Sequence, residues 1–201
     1  MIDALAASGL LDEPEVAQFH RTGHFVYESG DHGDTWLALP LLFANAGRLQ
    51  PAAARLAEKL RPHAPDVVCG PLIGGALVGQ WVAHELNATF VYAEPRSTVE
   101  TAGTRYAIPR AVRSTLRGKR AVVVDDVINA GWATLACVRA IEDQGGTVAV
   151  VAGLLVRTPG GLEPWANRGL AIEYLVGVRW NTWPAGDCPL CRSGIPGESA
   201  P

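Results

Sequence analysis

The run RAVVVDDVINAGWAT, from Arg120 to Thr134, constrains this chain more than any other stretch. Its apolar stretch, Ala121 to Val124, has the continuous apolar character of a strand buried on both faces of a parallel sheet. Two carboxylates, Asp125 and Asp126, stand where that strand should end. A short turn with Gly131 follows, and the spacing then predicts a helix from about Trp132 to Gln144. In an open α/β sheet, ligands collect outside the carboxyl ends of the strands. A turn leading into a helix N-terminus offers unpaired N–H groups and the positive end of a dipole, which suit a phosphate. The carboxylates suit sugar hydroxyls, or a magnesium ion held through its waters. The segment therefore asks for a sugar phosphate. The plainer alternative is a strand ending in two solvated acids ahead of an ordinary helix cap.

Three other segments share this character. GHFVYESGDHGDTW, Gly23 to Trp36, predicts two short strands, 24–29 and 34–39, joined by a Gly/Asp-rich turn. DVVCGPLIGGALVG, Asp66 to Gly79, predicts a short buried strand, a Gly-Pro turn and a helix from Gly75 or Ala76. Clustered glycines there let the backbone approach a ligand and aim successive N–H groups at an anion; an ordinary strand-to-helix turn is the alternative. EPRSTVETAGTR, Glu94 to Arg105, is polar and aperiodic, and predicts a mobile loop after a strand from Thr89 to Ala93. Arg157 closes the apolar strand Val148–Val156 and so belongs at the same sheet edge.

The Arg120–Thr134 run resembles the phosphoribosyl-pyrophosphate (PRPP) signature of the type I phosphoribosyltransferases. Asp125, Asp126, Val127, Ile128, Ala130 and Gly131 match that pattern, whereas Asn129 and Trp132 stand where Thr or another small residue is usual. The Gly23–Trp36 segment is similar to the N-terminal hairpin of the orotate phosphoribosyltransferases. The resemblance implies an α/β fold with a mostly parallel central sheet flanked by helices. A small hood, built from the N-terminal hairpin and the C-terminal segment, would cover the site. It implies one domain over 1–201, with helix and hood hairpin in 1–47, PRPP-binding core in 48–160, and strand and tail in 161–201.

The same resemblance implies a reaction: transfer of phosphoribose from PRPP to a base, orotate foremost, giving orotidine 5′-phosphate and pyrophosphate with Mg2+ assistance. Asp125 and Asp126 would hold the ribose hydroxyls. The turn Asn129, Ala130, Gly131, Trp132, Ala133 and Thr134 would cradle the 5′-phosphate. Gly70, Pro71, Leu72, Ile73, Gly74 and Gly75 would form the pyrophosphate loop, although Gly74 replaces a common lysine. Ser29 and Trp36 of the hairpin would lie near the base, Trp36 being otherwise a plain core aromatic. Arg157 would pair the carboxylate of orotate, a task suited to a planar guanidinium. Arg96 would serve catalysis from the flexible loop, where the family's lysines and Asp-His-Gly-Glu-Gly-Gly run are missing; a solvated Arg96 is the alternative. Members are usually homodimers. Two rivals stand beside this reading: a catalytically weak PRPP- or nucleotide-binding regulator, and a transferase for another base. At Trp132 the expectation is an indole turned away and packed on the hood, the alternative being one that fills the phosphate pocket.

With 201 residues and 48% hydrophobic content, the chain can bury one substantial core. A net charge of -3 and a pI near 5.9 leave no global electrostatic footprint for nucleic acid. Arg113, Arg117, Lys119 and Arg120 read as a solvated turn. No segment reads as a signal peptide, and the longest apolar run, 148–156, is too short to span a bilayer; a soluble cytoplasmic protein without membrane contact is expected. Residues 1–20 predict an amphipathic helix, Asn45–Gln50 a turn, Pro51–Leu60 a helix, Ile172–Val178 a strand, and Pro184–Pro201 an irregular tail. Cys69 and Cys137 read as core residues. Cys188 and Cys191 form a single C-x-x-C, a spacing that also resembles the tail of some orotate phosphoribosyltransferase-like proteins. Structural zinc usually takes four ligands, no second pair lies nearby, and the five histidines show no ligand spacing. Inert thiols are the expectation, with zinc or a redox disulfide as alternatives.

Overall fold

The computed structural model describes residues 19–27, 30–96 and 105–199. Its strands are β1 (His20–Val26), β2 (His32–Leu37), β3 (Val67–Pro71), β4 (Thr89–Arg96), β5 (Arg105–Ala107), β6 (Arg120–Ile128), β7 (Thr147–Arg157), β8 (Ala171–Val178), β9 (Thr182–Trp183) and β10 (Glu198–Ser199). Its α-helices are α1 (Leu39–Phe43), α2 (Ala46–Leu60), α3 (Gly74–Leu86), α4 (Trp132–Glu142), α5 (Glu163–Ala166) and α6 (Pro189–Arg192). The main sheet has the order β5-β4-β3-β6-β7-β8. Every pairing in it is parallel except β4 with β5. A smaller sheet, β10-β1-β2-β9, is assembled from the N-terminal hairpin and the C-terminal segment. This is the expected mostly parallel sheet with a hood.

Both faces of the main sheet are covered, which is why its strands read as continuous apolar runs. Side chains alternate along a strand. Val122 and Val124 join a core with Leu56 of α2 and Val78 and Val82 of α3. Ala121 and Val123 join the opposite core with Cys137, Val138 and Ile141 of α4. Fully burying one such Val or Leu contributes about 1.5–3 kcal/mol. The helices therefore lie on opposite faces. From β3 the chain passes through α3 to β4; from β6 it passes through α4 to β7 in the other direction. Strand order thus reverses between β3 and β6, and the reversal opens a crevice at their carboxyl ends.

Several expectations need correction. The Asn45–Gln50 turn is the first part of α2: the Asn45 side chain accepts from the Gly47 N–H at 2.9 Å and caps the helix. Pro51 lies inside that helix, where it lacks an N–H for the Gly47 carbonyl. A buried stripe of Leu49, Ala52, Ala53, Leu56, Ala57 and Leu60 outweighs that loss. Strand β6 does not stop at the acids but pairs with β7 as far as Ile128↔Val156, because β7 is long enough to supply partners. The ends of the expected mobile loop are strand: Glu94, Pro95 and Arg96 pair with Ala107, Tyr106 and Arg105. Residues 97–104 lie outside the described residues, as does most of the expected helix over 1–20; His20 already begins β1.

The tail is not irregular. It forms a short 3-10 turn, α6 and β10, and β10 pairs with β1 at Phe25↔Glu198 and Val26↔Ser199. That pairing carries Cys188 and Cys191 to His24 and His32, so the cysteine pair does have ligand-type neighbours. The basic cluster is partly tied down: Arg113 Nε donates to the Ile108 carbonyl at 2.8 Å and Arg120 Nε to that of His63 at 2.6 Å. Among the described residues, no helix is long and apolar enough to cross a membrane.

Candidate active site

The acid pair sits at the crevice. Asp125 is buried and Asp126 half-buried. The Asp126 N–H donates to Asp125 Oδ1 at 3.0 Å and the Val127 N–H to Asp126 Oδ1 at 2.9 Å. The Thr134 hydroxyl reaches back from α4 to Asp125 Oδ2 at 3.2 Å. Burial, and then the charge of Asp126, push the Asp125 carboxyl well above the usual carboxylate range; burial raises Asp126 as well. Two like charges this close resist full ionisation, so the pair is poised for a hydroxyl donor or a cation.

Beside it lies a pocket of about 230 Å³, lined by Asp125, Asn129, Ala130, Gly131, Ala133 and Thr134 among others. The turn expected to cradle a phosphate therefore forms a concave site. Gly131 caps α4 with φ of 75°, a left-handed conformation, and a Cβ there would approach Trp165 Cζ2 at 3.1 Å. No side chain caps the helix, so its first-turn N–H groups are available to an anion. Trp132 is 78% exposed. Trp132 is among the residues that line the pocket, yet its side chain stands largely in solvent and is not packed on the hood as expected.

The β3 loop closes on the same acids. A Cβ on Gly74 would collide with the Asp126 carboxylate, and one on Gly75 would lie 2.6 Å from Asp125 Oδ1. As this loop is folded here, position 74 therefore has no room for a side chain beside Asp126. Gly70, Pro71 and Gly75 are buried, while Leu72 and Ile73 are exposed at the tip. The Leu72 N–H donates to the Ala93 carbonyl at 2.9 Å and ties the tip to β4.

A larger open cleft of about 960 Å³ lies between the hood and the end of β7, lined in part by His20, Asp34, Thr35, Arg157, Asn181 and Thr182. Arg157 ends β7, the strand beside the acid-bearing β6, so the cleft and the acids share one sheet edge. Its Nη1 donates to Thr182 Oγ1 at 3.2 Å, and its guanidinium packs against Gly160. Among the described residues its Nε is buried without a partner, as is His20 Nε2. Burial lowers the His20 pKa below its ordinary value, so the ring is neutral near pH 7. Buried donors are rarely left unpaired; two residues with such atoms line this one cleft. Asn181 fastens the hood here, its N–H and Nδ2 donating to the two Asp34 oxygens at 3.0 and 2.6 Å.

Not every expected residue converges. Trp36 lines neither pocket; its ring lies 6.5 Å from that of Phe25, in a tilted contact. Arg96 is exposed on β4 and pairs with Glu94 at 2.8 Å. Ser29 lies outside the described residues. Sequence reasoning missed His20, Asp34 and Thr182 in the cleft, and Asp31 in the small pocket. Only the Asp-rich hairpin turn hinted at them. The chain's two lysines stand apart, Lys59 by Glu173 at 3.6 Å and Lys119 by Asp66 at 3.5 Å.

A two-faced parallel sheet with acids, an anion-binding turn and a glycine loop at its switch point defines a nucleotide-type α/β enzyme fold. The family model described as "Phosphoribosyl transferase domain" matches residues 44–186, and the chain belongs to that family. An orotate phosphoribosyltransferase of Caldanaerobacter subterraneus is 30% identical over 174 residues, covering 87% of this chain and 86% of that protein. One from Caulobacter vibrioides is 30% identical over 191 residues, covering 94% and 93%. The crystal structure of orotate phosphoribosyltransferase from Aeropyrum pernix shares the fold, with a TM-score of 0.65 at 20% identity, covering 88% of this chain and 93% of that one.

Proposed function

We propose that this chain transfers the phosphoribosyl group of PRPP to orotate, releasing pyrophosphate and forming orotidine 5′-phosphate. The observation that carries the reading is the shared sheet edge. There an arginine whose buried N–H has no partner among the described residues stands one strand from the Asp125–Asp126 pair and its anion-binding turn. The relatives named orotate phosphoribosyltransferase support the same base. A related structure from Mycobacterium tuberculosis, with a TM-score of 0.56 at 22% identity, is a complex with PRPP.

In this reading the bond from ribose C1 to pyrophosphate breaks as a ring nitrogen of the base bonds to C1, the nitrogen's proton passing to solvent, and positive charge builds on the sugar in the transition state. The α4 turn holds the 5′-phosphate. Asp125 and Asp126 accept from the ribose hydroxyls and offset the developing charge. The glycine loop from Gly70 to Gly75 presents backbone to the leaving pyrophosphate. Arg157 orients the base through its carboxylate, which fixes the attacking nitrogen. The acid pair also fits a divalent cation, since two crowded carboxylates gain most from one. Magnesium, when bound, supplies charge neutralisation for the leaving group.

Four free cysteines, two of them in the main core, suit a reducing cytoplasm. We also read the protein as a homodimer, in which the segment after Arg96 serves a neighbouring site. One observation favours a second reading, a weakly catalytic binder of PRPP or nucleotide: neither lysine is at the site, and Arg96 is engaged by Glu94. Pyrophosphate release from PRPP and magnesium, measured with orotate, uracil and purine bases, separates the readings. Turnover with orotate alone supports the first, turnover with another base reassigns the substrate, and PRPP binding without turnover supports the second.

A further inference from the structure

Away from the crevice, His24, His32, Cys188 and Cys191 bring one ligand atom each to within 4.8 Å of one another. We propose that these four residues form a structural zinc site of the Cys2His2 type, which clamps the C-terminal tail to the hood hairpin. This inference is independent of the transferase reading.

The distances suit a tetrahedron. Cys188 Sγ lies 3.5 Å and Cys191 Sγ 3.7 Å from His24 Nε2, and Cys191 Sγ lies 3.3 Å from His32 Nδ1. Zinc with bonds of about 2.0 Å to nitrogen and 2.3 Å to sulfur gives edges of roughly 3.3–3.8 Å. The two ring nitrogens, 2.8 Å apart, need to separate by about half an ångström to reach that geometry. Two thiolates and two imidazoles form a set that selects zinc over hard cations such as magnesium.

The tautomer of His24 supports ligation. Its Nδ1 lies 2.8 Å from the Ile195 carbonyl oxygen. A carbonyl only accepts, so Nδ1 carries the proton and Nε2 presents a lone pair toward His32 and both sulfurs. Metal-bound histidines show this arrangement, with the far nitrogen held by a backbone carbonyl. Cys188 and His24 are buried, 1% and 5% exposed, whereas Cys191 is exposed and leaves a route of entry. Zinc binding releases the two thiol protons to solvent.

The clamp has a mechanical purpose. Without a metal, the tail holds the hairpin through two residue pairs between β10 and β1, the hydrogen bond of His24 with the Ile195 carbonyl, and an exposed bidentate pair of Arg21 with Glu198. Such short strands and surface ion pairs contribute little alone. His24 follows Gly23, which lines the large cleft, and His32 follows Asp31, which lines the small pocket. Fixing both histidines fixes the hood over both ligand positions.

The test uses the full chain, purified from zinc-supplemented cells under reducing conditions, without PRPP or magnesium. Elemental analysis is expected to find about one zinc per chain. Cobalt exchanged into the zinc-stripped protein should give the visible bands of a tetrahedral thiolate site. Cys191→Ser and His32→Ala should each lower zinc content at least about fivefold and abolish those bands. Stripping zinc should lower the melting temperature by about 5–10 °C, restored by zinc and not by magnesium. The proposal is overturned by intact, folded protein that takes up neither zinc nor cobalt. It is equally overturned by variants that bind both metals as the parent does, or by a Cys188–Cys191 disulfide in the reduced preparation.

Discussion

Replacing Arg157 by lysine keeps the charge and removes the planar fork. Arg157 spends one N–H on Thr182 Oγ1 at 3.2 Å, is packed against Gly160, and keeps a buried Nε without an acceptor among the described residues. A ligand carboxylate can therefore take two adjacent donors from a guanidinium already held in place. Hydrogen bonds to charged groups contribute about 1.5–3 kcal/mol each. A lysine offers a point charge and reproduces one of the two bonds at best. The loss is then about 1.5–3 kcal/mol, or roughly a 10- to 150-fold rise in the KM for orotate. PRPP affinity should stay within about threefold, because the α4 turn and the acid pair are untouched. Steady-state kinetics with orotate varied at saturating PRPP, alongside calorimetric titration with PRPP, reads both numbers. An orotate KM within threefold of the parent, in an Arg157→Lys protein with unchanged melting, refutes the assignment of Arg157 to the carboxylate.

Asp125→Asn should weaken PRPP binding at least about tenfold, the loss of one good polar contact to the sugar, as measured by calorimetry. The same change should raise the melting temperature of the ligand-free protein near pH 7, read by calorimetry. The folded pKa of Asp125 lies above its ordinary value of 3.8, so its ionisation opposes folding. That penalty is absent below pH 3.8 and grows as pH rises through the folded value, so the Asn variant's advantage should vanish in acid melts. Trp132→Thr should alter PRPP affinity by less than about tenfold, since the indole is 78% exposed; a much larger gain would show that it blocks the pocket in solution. Light scattering at micromolar concentration should report a dimer, and a purely monomeric protein would remove the shared-site idea.

The chemistry of the crevice was legible locally because it depends on short-range covalent order. An apolar run, two acids, a glycine needed at φ of 75° and a helix start lie within fifteen residues, so their sequence dictates their arrangement. The two-faced sheet was legible for a related reason: strands such as β6 and β7 can be apolar throughout only if helices cover both sides. Other features depended on the whole fold. Pro51 suggested a helix start, yet the buried stripe on α2 extends the helix back to the Asn45 cap. Trp36 carried the family's aromatic pattern, yet the register of β2 against β1 turned it toward Phe25. His24 and Cys188 are 164 residues apart and show no ligand spacing in the chain, and only the pairing of β9 with β2 and of β10 with β1 brings them together. Spacing along the chain records contacts made within one element or turn. Contacts made by closing a long loop leave no periodic trace, and tertiary packing alone decides them.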